Sequence, residues 1–254
     1  SMVADNPRIR EHCLKGGTAA VYEDGMIVLR KGDWSIPVEK VMNIPLTYFG
    51  KAAFQVQNVL AACLTAFVQG VDVEEIRIGM QTFVPTPAQL PGRMNVFEFQ
   101  RFKVVIDYAH NPAGMEAMGK FIESLGADHS TAVIAGTGDR RDQDLRDYGR
   151  VAAEHFDELI IWKDEDYARG RDSTEVMNLT LEGARSNPIK TDIEVIWDED
   201  EAVEHALEQA QPNSVICIFT GRIEAMTSKI NALKEQELNL DISKEDIPNI
   251  GLTT

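Results

Sequence analysis

Three polar side chains stand directly after a short apolar run at residues 104–106, which predicts a buried strand. They are Asp107, His110 and Asn111, and Pro112 then begins a helical pattern. Because ligands of open α/β sheets gather where strands end and helices begin, this stretch is a candidate binding or catalytic site. Structural alternatives are open for two of these residues: His110 can bond to a backbone carbonyl, and Asn111 can cap the helix.

A second strand-like run, at residues 131–135, leads into a glycine-rich turn that carries charged residues. Glycines between a strand and a helix let backbone N–H groups turn toward an anion, which the helix dipole also favours. Arginines in such a turn could donate in pairs to a phosphate or a carboxylate. The alternative is an ordinary turn with solvated charges, because short glycine motifs are frequent. The turn consists of Gly136, Thr137, Gly138, Asp139, Arg140, Arg141 and Asp142.

The composition is typical of a globular protein from a reducing compartment. The 254 residues are 44% hydrophobic and 26% charged. No apolar run approaches the roughly 18 residues that span a bilayer. Cys13, Cys63 and Cys217 are widely spaced, which argues against a disulfide framework or a zinc site. The first residues lack the basic stretch and apolar core of a secretory signal, so the cytoplasm is the predicted location.

Charge and spacing argue against several classes of partner. The formal net charge of −16 opposes binding to nucleic acid or to an anionic membrane. The histidines show no metal-ligand spacing, so no metal ligands are predicted. The run Asp164, Glu165 and Asp166 could hold a cation, with a solvated loop as the alternative. Arg169 and Arg171 could bind an acidic polymer.

The elements that must position these residues form two unequal halves. Residues 84–92 contain three prolines and are typical of a linker between domains. After it, strands and helices alternate, which predicts an α/β fold with a mostly parallel sheet and helices on both faces. Before it, a β-hairpin with an Asp24-Gly25 turn, another strand and two helices are expected, without a sheet of their own. The acidic stretch from Glu235 is predicted to be a frayed tail.

Three motifs together resemble the C-terminal domain of the Mur ligase superfamily, which has a Rossmann-like fold. They are the run Pro91, Gly92 and Arg93, the stretch 107–112, and the stretch 138–142. The last motif, together with residues 169–171, is similar to the cyanophycin synthetase branch of the superfamily.

The resemblance extends upstream and implies two domains. Residues 50–54 and Asn58 are similar to the helix that closes the central ATPase domain of the family. Residues 1–90 would therefore be the C-terminal fragment of a central domain, and residues 91–254 a complete C-terminal domain.

The resemblance implies an ATP-dependent ligase. In the family, ATP converts a carboxylate into an acyl phosphate, and an incoming amine attacks it to form an amide. In the cyanophycin branch, arginine is joined to the side-chain carboxyl of an aspartate in the polymer. The implied partners are ATP with Mg²⁺, an amino acid and an acidic polypeptide, and a homo-oligomer is left open.

The resemblance also assigns roles to residues. Arg93 would contact the ATP phosphates and stabilise charge on the transferring phosphoryl group. Asp107 would accept hydrogen bonds from the ribose hydroxyls, and Asn58 would contact the adenine. His110 and Asn111 would lie at the mouth of the site, near the nucleotide or the incoming amine. The pocket for the incoming amino acid would be shaped by Gly138, Asp139 and Arg140.

One motif of the superfamily is missing from these 254 residues. No Gly-x-x-x-x-Gly-Lys-[Ser/Thr] loop occurs, and the P-loop lysine and Mg²⁺ ligands are expected before residue 1. The chain is therefore expected to be a fragment that does not hydrolyse ATP by itself. Two other interpretations are open: a Mur-like ligase of the folylpolyglutamate or peptidoglycan-precursor type, and a non-catalytic Rossmann-like binding module.

Overall fold

The computed structural model describes residues 1–188 and 191–245, and it divides them into two compact units. The first unit comprises residues 1–89 together with residues 117–125, and the second comprises residues 90–116 and the described residues from 126 on. The chain therefore changes unit within the predicted linker.

The first unit contains a three-stranded antiparallel sheet, so the expectation that this half has no sheet of its own is wrong. The strands pair in chain order, and Asp24 and Gly25 form the tight turn between the first two with positive φ angles of 48° and 79°. The elements are α1 (Pro7–Leu14), β1 (Thr18–Glu23), β2 (Met26–Lys31), β3 (Trp34–Lys40), two short 3₁₀ turns (Val41–Asn43 and Pro45–Thr47), α2 (Ala53–Val68) and α3 (Val73–Thr82).

The core of the first unit lies between this sheet and its two longer helices. Ile27 and Leu29 of β2 are buried together with Val56 and Leu60 of α2. Asp72 caps the N-terminus of α3: its side chain accepts the Glu74 N–H, and it forms a capping box with Glu75.

The second unit has the predicted α/β fold with a mostly parallel sheet. The strand order is β4-β5-β9-β6-β7-β8; β4 pairs antiparallel with β5, and the other neighbours are parallel. The elements are β4 (Asn95–Glu98), β5 (Phe102–Asp107), α4 (Pro112–Leu125, of which residues 117–125 belong to the first unit), β6 (His129–Ile134), α5 (Asp142–His155), β7 (Glu158–Ile161), α6 (Ser173–Arg185), β8 (Asp192–Val195), α7 (Glu199–Glu208), β9 (Ser214–Phe219) and α8 (Ile223–Glu245).

Alternate residues of the central strand β9 face opposite sides of the sheet. Ile216 and Ile218 belong to a core cluster with Val203 of α7 and Ile230 of α8. On the other side, Cys217 is fully buried, and Phe219 packs edge-on against Phe156, which follows α5. Helices therefore cover both faces, as predicted.

The last described helix corrects one expectation. Helix α8 continues to Glu245, so residues 235–245 are helical rather than a frayed tail. The remainder of the predicted tail, residues 246–254, lies outside the described residues. Among the helices described, none combines the length and the apolar character that crossing a membrane requires.

Candidate functional site

The carboxyl edge of the parallel sheet carries the candidate site, and Asp107 lies at one corner of it. The carboxylate ends β5 and is only 6% exposed. Its Oδ2 accepts the Met94 N–H at 2.8 Å, and its Oδ1 accepts the Ala109 N–H at 2.7 Å. Burial raises the pKa of Asp107, and the bonded N–H groups and the Arg93 guanidinium oppose that rise. The carboxylate thus connects the segment that contains Met94 to the segment that follows β5.

The loop that carries Arg93 is held against the same corner. The Tyr108 N–H donates to the Gly92 carbonyl at 2.9 Å, and the Gly92 N–H donates to Oδ1 of Asn95 at 2.7 Å. Gly92 has a φ of 63°, and a Cβ there would lie 2.4 Å from the Ile223 side chain, so the tight approach requires glycine. The exposed Arg93 guanidinium lies over the Tyr108 ring, 5.2 Å from its centroid. Arg93 and Asp107 therefore share one corner of the sheet.

His110 and Asn111 lie just beyond this corner, where both make local contacts. Nδ1 of His110 lies 2.9 Å from the Tyr108 carbonyl, and the two rings are 4.9 Å apart. Oδ1 of Asn111 accepts the Gly114 N–H at 2.8 Å, so Asn111 caps α4. The structure therefore contains both structural alternatives that the sequence left open, and neither contact excludes a further contact to a ligand.

The glycine-rich turn after β6 is joined to the loop after β7. The Gly138 N–H donates to the Tyr167 carbonyl at 2.8 Å, and a Cβ on Gly138 would lie 1.8 Å from the Ala168 carbonyl oxygen. Arg171 donates to the Arg140 carbonyl at 3.2 Å and pairs with Asp142, at the end of the turn, and with Glu175 of α6. Gly138 therefore permits a close approach of two loops.

The two charged residues predicted to shape the amino-acid pocket, Asp139 and Arg140, differ in exposure. Asp139 is exposed, and Arg140 is half-buried with a 4.0 Å ion pair to Asp139. Nε of Arg140 is buried and has no hydrogen-bond partner among the described residues. Neither residue lines the cavities described at this edge, where Thr137 alone represents the turn.

A larger cavity, which the sequence did not predict as a site, lies beyond β7, β8 and β9. Its volume is about 520 Å³, and it combines aromatic and acidic side chains. A smaller cavity beside it is lined both by this group and by residues 108–110, so the two corners are neighbours. Each contributing segment directly follows a strand, which is the signal that sequence reasoning could have used. The larger cavity is lined by Trp162, Lys163, Asp164, Glu165, Asp166, Tyr167, Trp197, Asp198, Glu199, Glu201, Gly221 and Arg222.

The acidic run 164–166 and the two arginines Arg169 and Arg171 lie in different places relative to this cavity. Asp164, Glu165 and Asp166 line it, so this acidic run faces a concave surface. Arg171, by contrast, is committed to carboxylates within its own unit, and Arg169 lies over the Tyr167 ring at 5.0 Å.

Asn58 lies in the first unit, within α2 and one turn after its start. Its Nδ2 donates to Oε1 of Gln55 at 2.9 Å. Asn58 is exposed and lines an apolar groove of about 490 Å³. Burial in this helix raises the pKa of Cys63 to about 11.

The described residues contain no group of three or more His, Cys, Asp or Glu side chains that could hold a metal ion. The acidic cavity therefore differs from a metal centre, although six of its lining residues carry carboxylates.

Comparison with known protein families identifies the second unit. Residues 92–222 match the family described as "Mur ligase, glutamate ligase domain". The cyanophycin synthetases of Crocosphaera subtropica and Synechocystis sp. are both 42% identical to this chain, over 91% and 92% of it. The chain spans only 26% and 27% of those proteins, about a quarter of their length. The UDP-N-acetylmuramoyl-L-alanyl-D-glutamate–2,6-diaminopimelate ligase of Geobacillus kaustophilus is 31% identical over 65% of this chain and 32% of its own.

Solved structures share the fold. A pseudomurein peptide ligase type C from Methanothermus fervidus superposes with a TM-score of 0.61 at 21% identity, over 85% of this chain and 41% of that one. E. coli FolC in complex with ADP gives a TM-score of 0.61 at 16% identity, over 86% of this chain and 47% of that one. At these identities the likeness supports the fold alone.

Proposed function

We propose, because this chain belongs to the Mur ligase family, that it forms part of an ATP-dependent ligase that joins an amine to a carboxyl group. The observation that carries this proposal is the shared corner of Arg93 and Asp107, where an exposed cation stands beside a buried carboxylate that is held by two backbone N–H groups. ATP would supply the phosphoryl group that activates the carboxylate, as the family resemblance implies.

Arg93 is the residue proposed to face the nucleotide phosphates. Its guanidinium is exposed and has no ion-pair partner in the described part of the chain, so its donors are available to an anion. Such a fixed cation stabilises charge that develops on a transferring phosphoryl group. Asp107 holds the backbone directly after Arg93, at Met94, and directly after Tyr108, at Ala109, so it helps to position that cation. A direct contact from Asp107 to ribose hydroxyls is a further proposal.

Narrower roles are proposed for the remaining predicted site residues. His110 and Asn111 would lie at the mouth of the nucleotide site, and Asn58 would contact the adenine from a central-domain fragment. Gly138 supports the site by letting two loops meet, while Asp139 and Arg140 would act on the amino-acid side. ATP would bind together with Mg²⁺, and the described residues contain no cluster of side chains that suits a divalent ion.

For the substrates, we propose arginine as the amine and the aspartate side-chain carboxyl of an acidic polypeptide as the acceptor. The 42% identity to cyanophycin synthetases supports this choice over a peptidoglycan-precursor ligase, for which the identity is 31%. Since the chain has no P-loop, we also propose that it does not turn over ATP alone. The cytoplasm is the proposed location.

Binding of a fluorescent ATP analogue to the 254-residue chain tests the nucleotide site. Arg93→Ala should weaken binding at least about tenfold, because a charge-assisted contact to phosphate is lost. Arg101→Ala is the matched control, since Arg101 is an exposed arginine in the turn between β4 and β5. Equal affinities of the Arg93 and Arg101 variants, or no binding by the unmodified chain, would contradict the proposal.

The ligase activity needs a longer protein. Replacing the aligned quarter of the Synechocystis cyanophycin synthetase with this chain should give a chimaera that incorporates labelled arginine only when ATP is present. Arg93→Ala in the chimaera should reduce the incorporation at least about tenfold. A chimaera that remains folded and binds ATP but incorporates no arginine would overturn the substrate assignment.

A further inference from the structure

The acidic cavity at the ends of β7, β8 and β9 has a strongly unbalanced charge. Six lining residues carry carboxylates, whereas Lys163 and Arg222 are its two cations. Lys163 pairs with Glu165 at 2.7 Å, and Arg222 pairs with Glu199 at 3.2 Å. The other four carboxylates have no ion-pair partner among the described residues, so the surface attracts cations.

Glu199 is the buried member of this group and has an unused acceptor. Its side chain is only 2% exposed, and Oε2 takes the Arg222 contact. Oε1 is buried and has no hydrogen-bond partner among the described residues. A buried carboxylate oxygen without a donor is costly unless a ligand supplies one. Burial raises the pKa of Glu199, while the Thr220 hydroxyl and Arg222 oppose that rise.

The contacts of the two cationic side chains in the lining, Lys163 and Arg222, show which kind of ligand the cavity suits. The Lys163 ammonium lies over the Trp197 ring, 5.2 Å from the centroid. Arg222 places its guanidinium against Glu199 and, at 2.9 Å, against Asp200. The cavity therefore offers both ways in which proteins hold organic cations: an aromatic face and a carboxylate.

We propose that this cavity binds the cationic side chain of the incoming amine substrate, with Glu199 as the residue that determines specificity for a guanidinium. The inference rests on the proposed function and adds the position and the residues of the amine pocket. Oε1 of Glu199 accepts an N–H of the ligand, Trp197 offers an aromatic face, and the carboxylates at the rim favour positive charge.

The shape and the polar atoms of the cavity favour an amino acid over a simple cation. A volume of about 520 Å³ exceeds the need of one ion, and no described cluster has metal-ligand geometry. Nε1 of Trp162, which lines the same cavity, is a second buried group without a partner among the described residues. A buried donor and a buried acceptor on residues that line one cavity match a ligand that carries both kinds of group.

Calorimetric titration of the 254-residue chain with arginine and citrulline tests the pocket directly. Citrulline has nearly the shape of arginine but a neutral urea group in place of the guanidinium. Arginine should bind at least about tenfold more tightly, because a site built for a charged donor discriminates against a neutral isostere. Equal binding of the two, or no binding of arginine at about 10 mM, would overturn the inference.

A pair of charge-matched variants locates the binding. Glu199→Gln should lose most of the preference for arginine over citrulline, whereas Glu208→Gln should retain it. Glu208 lies on the same helix, is exposed and does not line the cavity. If Glu199→Gln does not fold, the arginine-to-citrulline ratio of the unmodified chain still decides the outcome. Loss of the preference in the Glu208 variant as well would contradict the assignment to Glu199.

Nucleotide binding separates failure of this inference from failure of the proposed function. If the ATP analogue binds through Arg93 but arginine and citrulline bind equally, the pocket assignment is wrong and the ligase proposal stands. If arginine binds selectively but the ATP analogue does not bind, the ligase proposal fails, and the cavity is an amino-acid site of another kind.

Discussion

Asp107 and Glu199 are both buried carboxylates at the carboxyl edge of one sheet, but their oxygens meet different surroundings. Asp107 has a backbone N–H at each oxygen, at 2.8 and 2.7 Å. Glu199 has one oxygen against Arg222, at 3.2 Å, and the other without a partner among the described residues. Burial raises the pKa of both groups.

The difference separates a group that builds the site from a group that is available to a ligand. Asp107 fixes the backbone that presents Arg93, so its hydrogen-bonding capacity is largely used in the fold. Glu199 retains an acceptor inside a cavity, which costs stability and favours binding of a donor.

The largest expected effect is a difference in the free energy of unfolding between variants of these two carboxylates. Asp107→Asn should lower the free energy of unfolding by about 3 kcal/mol, because the amide group places an N–H against one of two buried backbone N–H donors. Glu199→Gln should stay within about 1 kcal/mol of the unmodified chain, since only one of its oxygens is engaged. Urea unfolding at pH 7 measures both. Equal losses in the two variants would remove the distinction.

A smaller loss is expected at the contact between the two loops. Gly138→Ala should cost about 2 kcal/mol, because the added Cβ would lie 1.8 Å from the Ala168 carbonyl oxygen and the loops must separate. Gly79→Ala is the control: it lies within α3 with no atom within 4 Å of the added Cβ, so it should gain up to about 1 kcal/mol. Thermal unfolding of both variants measures the difference. A neutral Gly138→Ala would mean that the loops do not depend on this approach.

The smallest effect is a pH dependence at Glu199. Because its pKa is raised in the folded chain above the ordinary 4.5, its contribution to stability is complete below that value and is lost as the pH rises through the folded pKa. Glu199→Gln lacks this loss, so its stability relative to the unmodified chain should increase with pH above 4.5. Urea unfolding across that range measures the trend. A difference that stays constant, or decreases, would show that Glu199 is not the strained carboxylate.

The sequence predicted the second unit well and the first unit less well. Apolar runs such as residues 104–106 are uninterrupted and bounded by polar residues, so β5 and its neighbours could be recognised. All three strands of the first unit were expected, but their association into one sheet was missed, because β3 alternates weakly and contains Pro37. Helix α1 was also missed, since the only residue that it buries is Cys13.

The candidate site, like the fold, has a part that could be predicted from the sequence and a part that could not. Asp107, His110 and Asn111 are contiguous, so their position at a strand end could be predicted from the local pattern. The acidic cavity is formed by three segments that are distant in the chain, residues 162–167, 197–201 and 221–222. They meet only because β9 inserts between β5 and β6 and the strands run parallel. Strand order of this kind depends on long-range pairing and leaves no local signal.

The most direct test measures nucleotide binding and arginine binding in the same set of variants. ATP-analogue affinity and arginine affinity are measured for the unmodified chain, for Arg93→Ala and for Glu199→Gln. We expect Arg93→Ala to lose at least about tenfold in nucleotide affinity with arginine binding unchanged, and Glu199→Gln to lose arginine binding with nucleotide affinity unchanged. If both affinities fall together in each variant, or if neither falls, the account of two separate binding corners is contradicted.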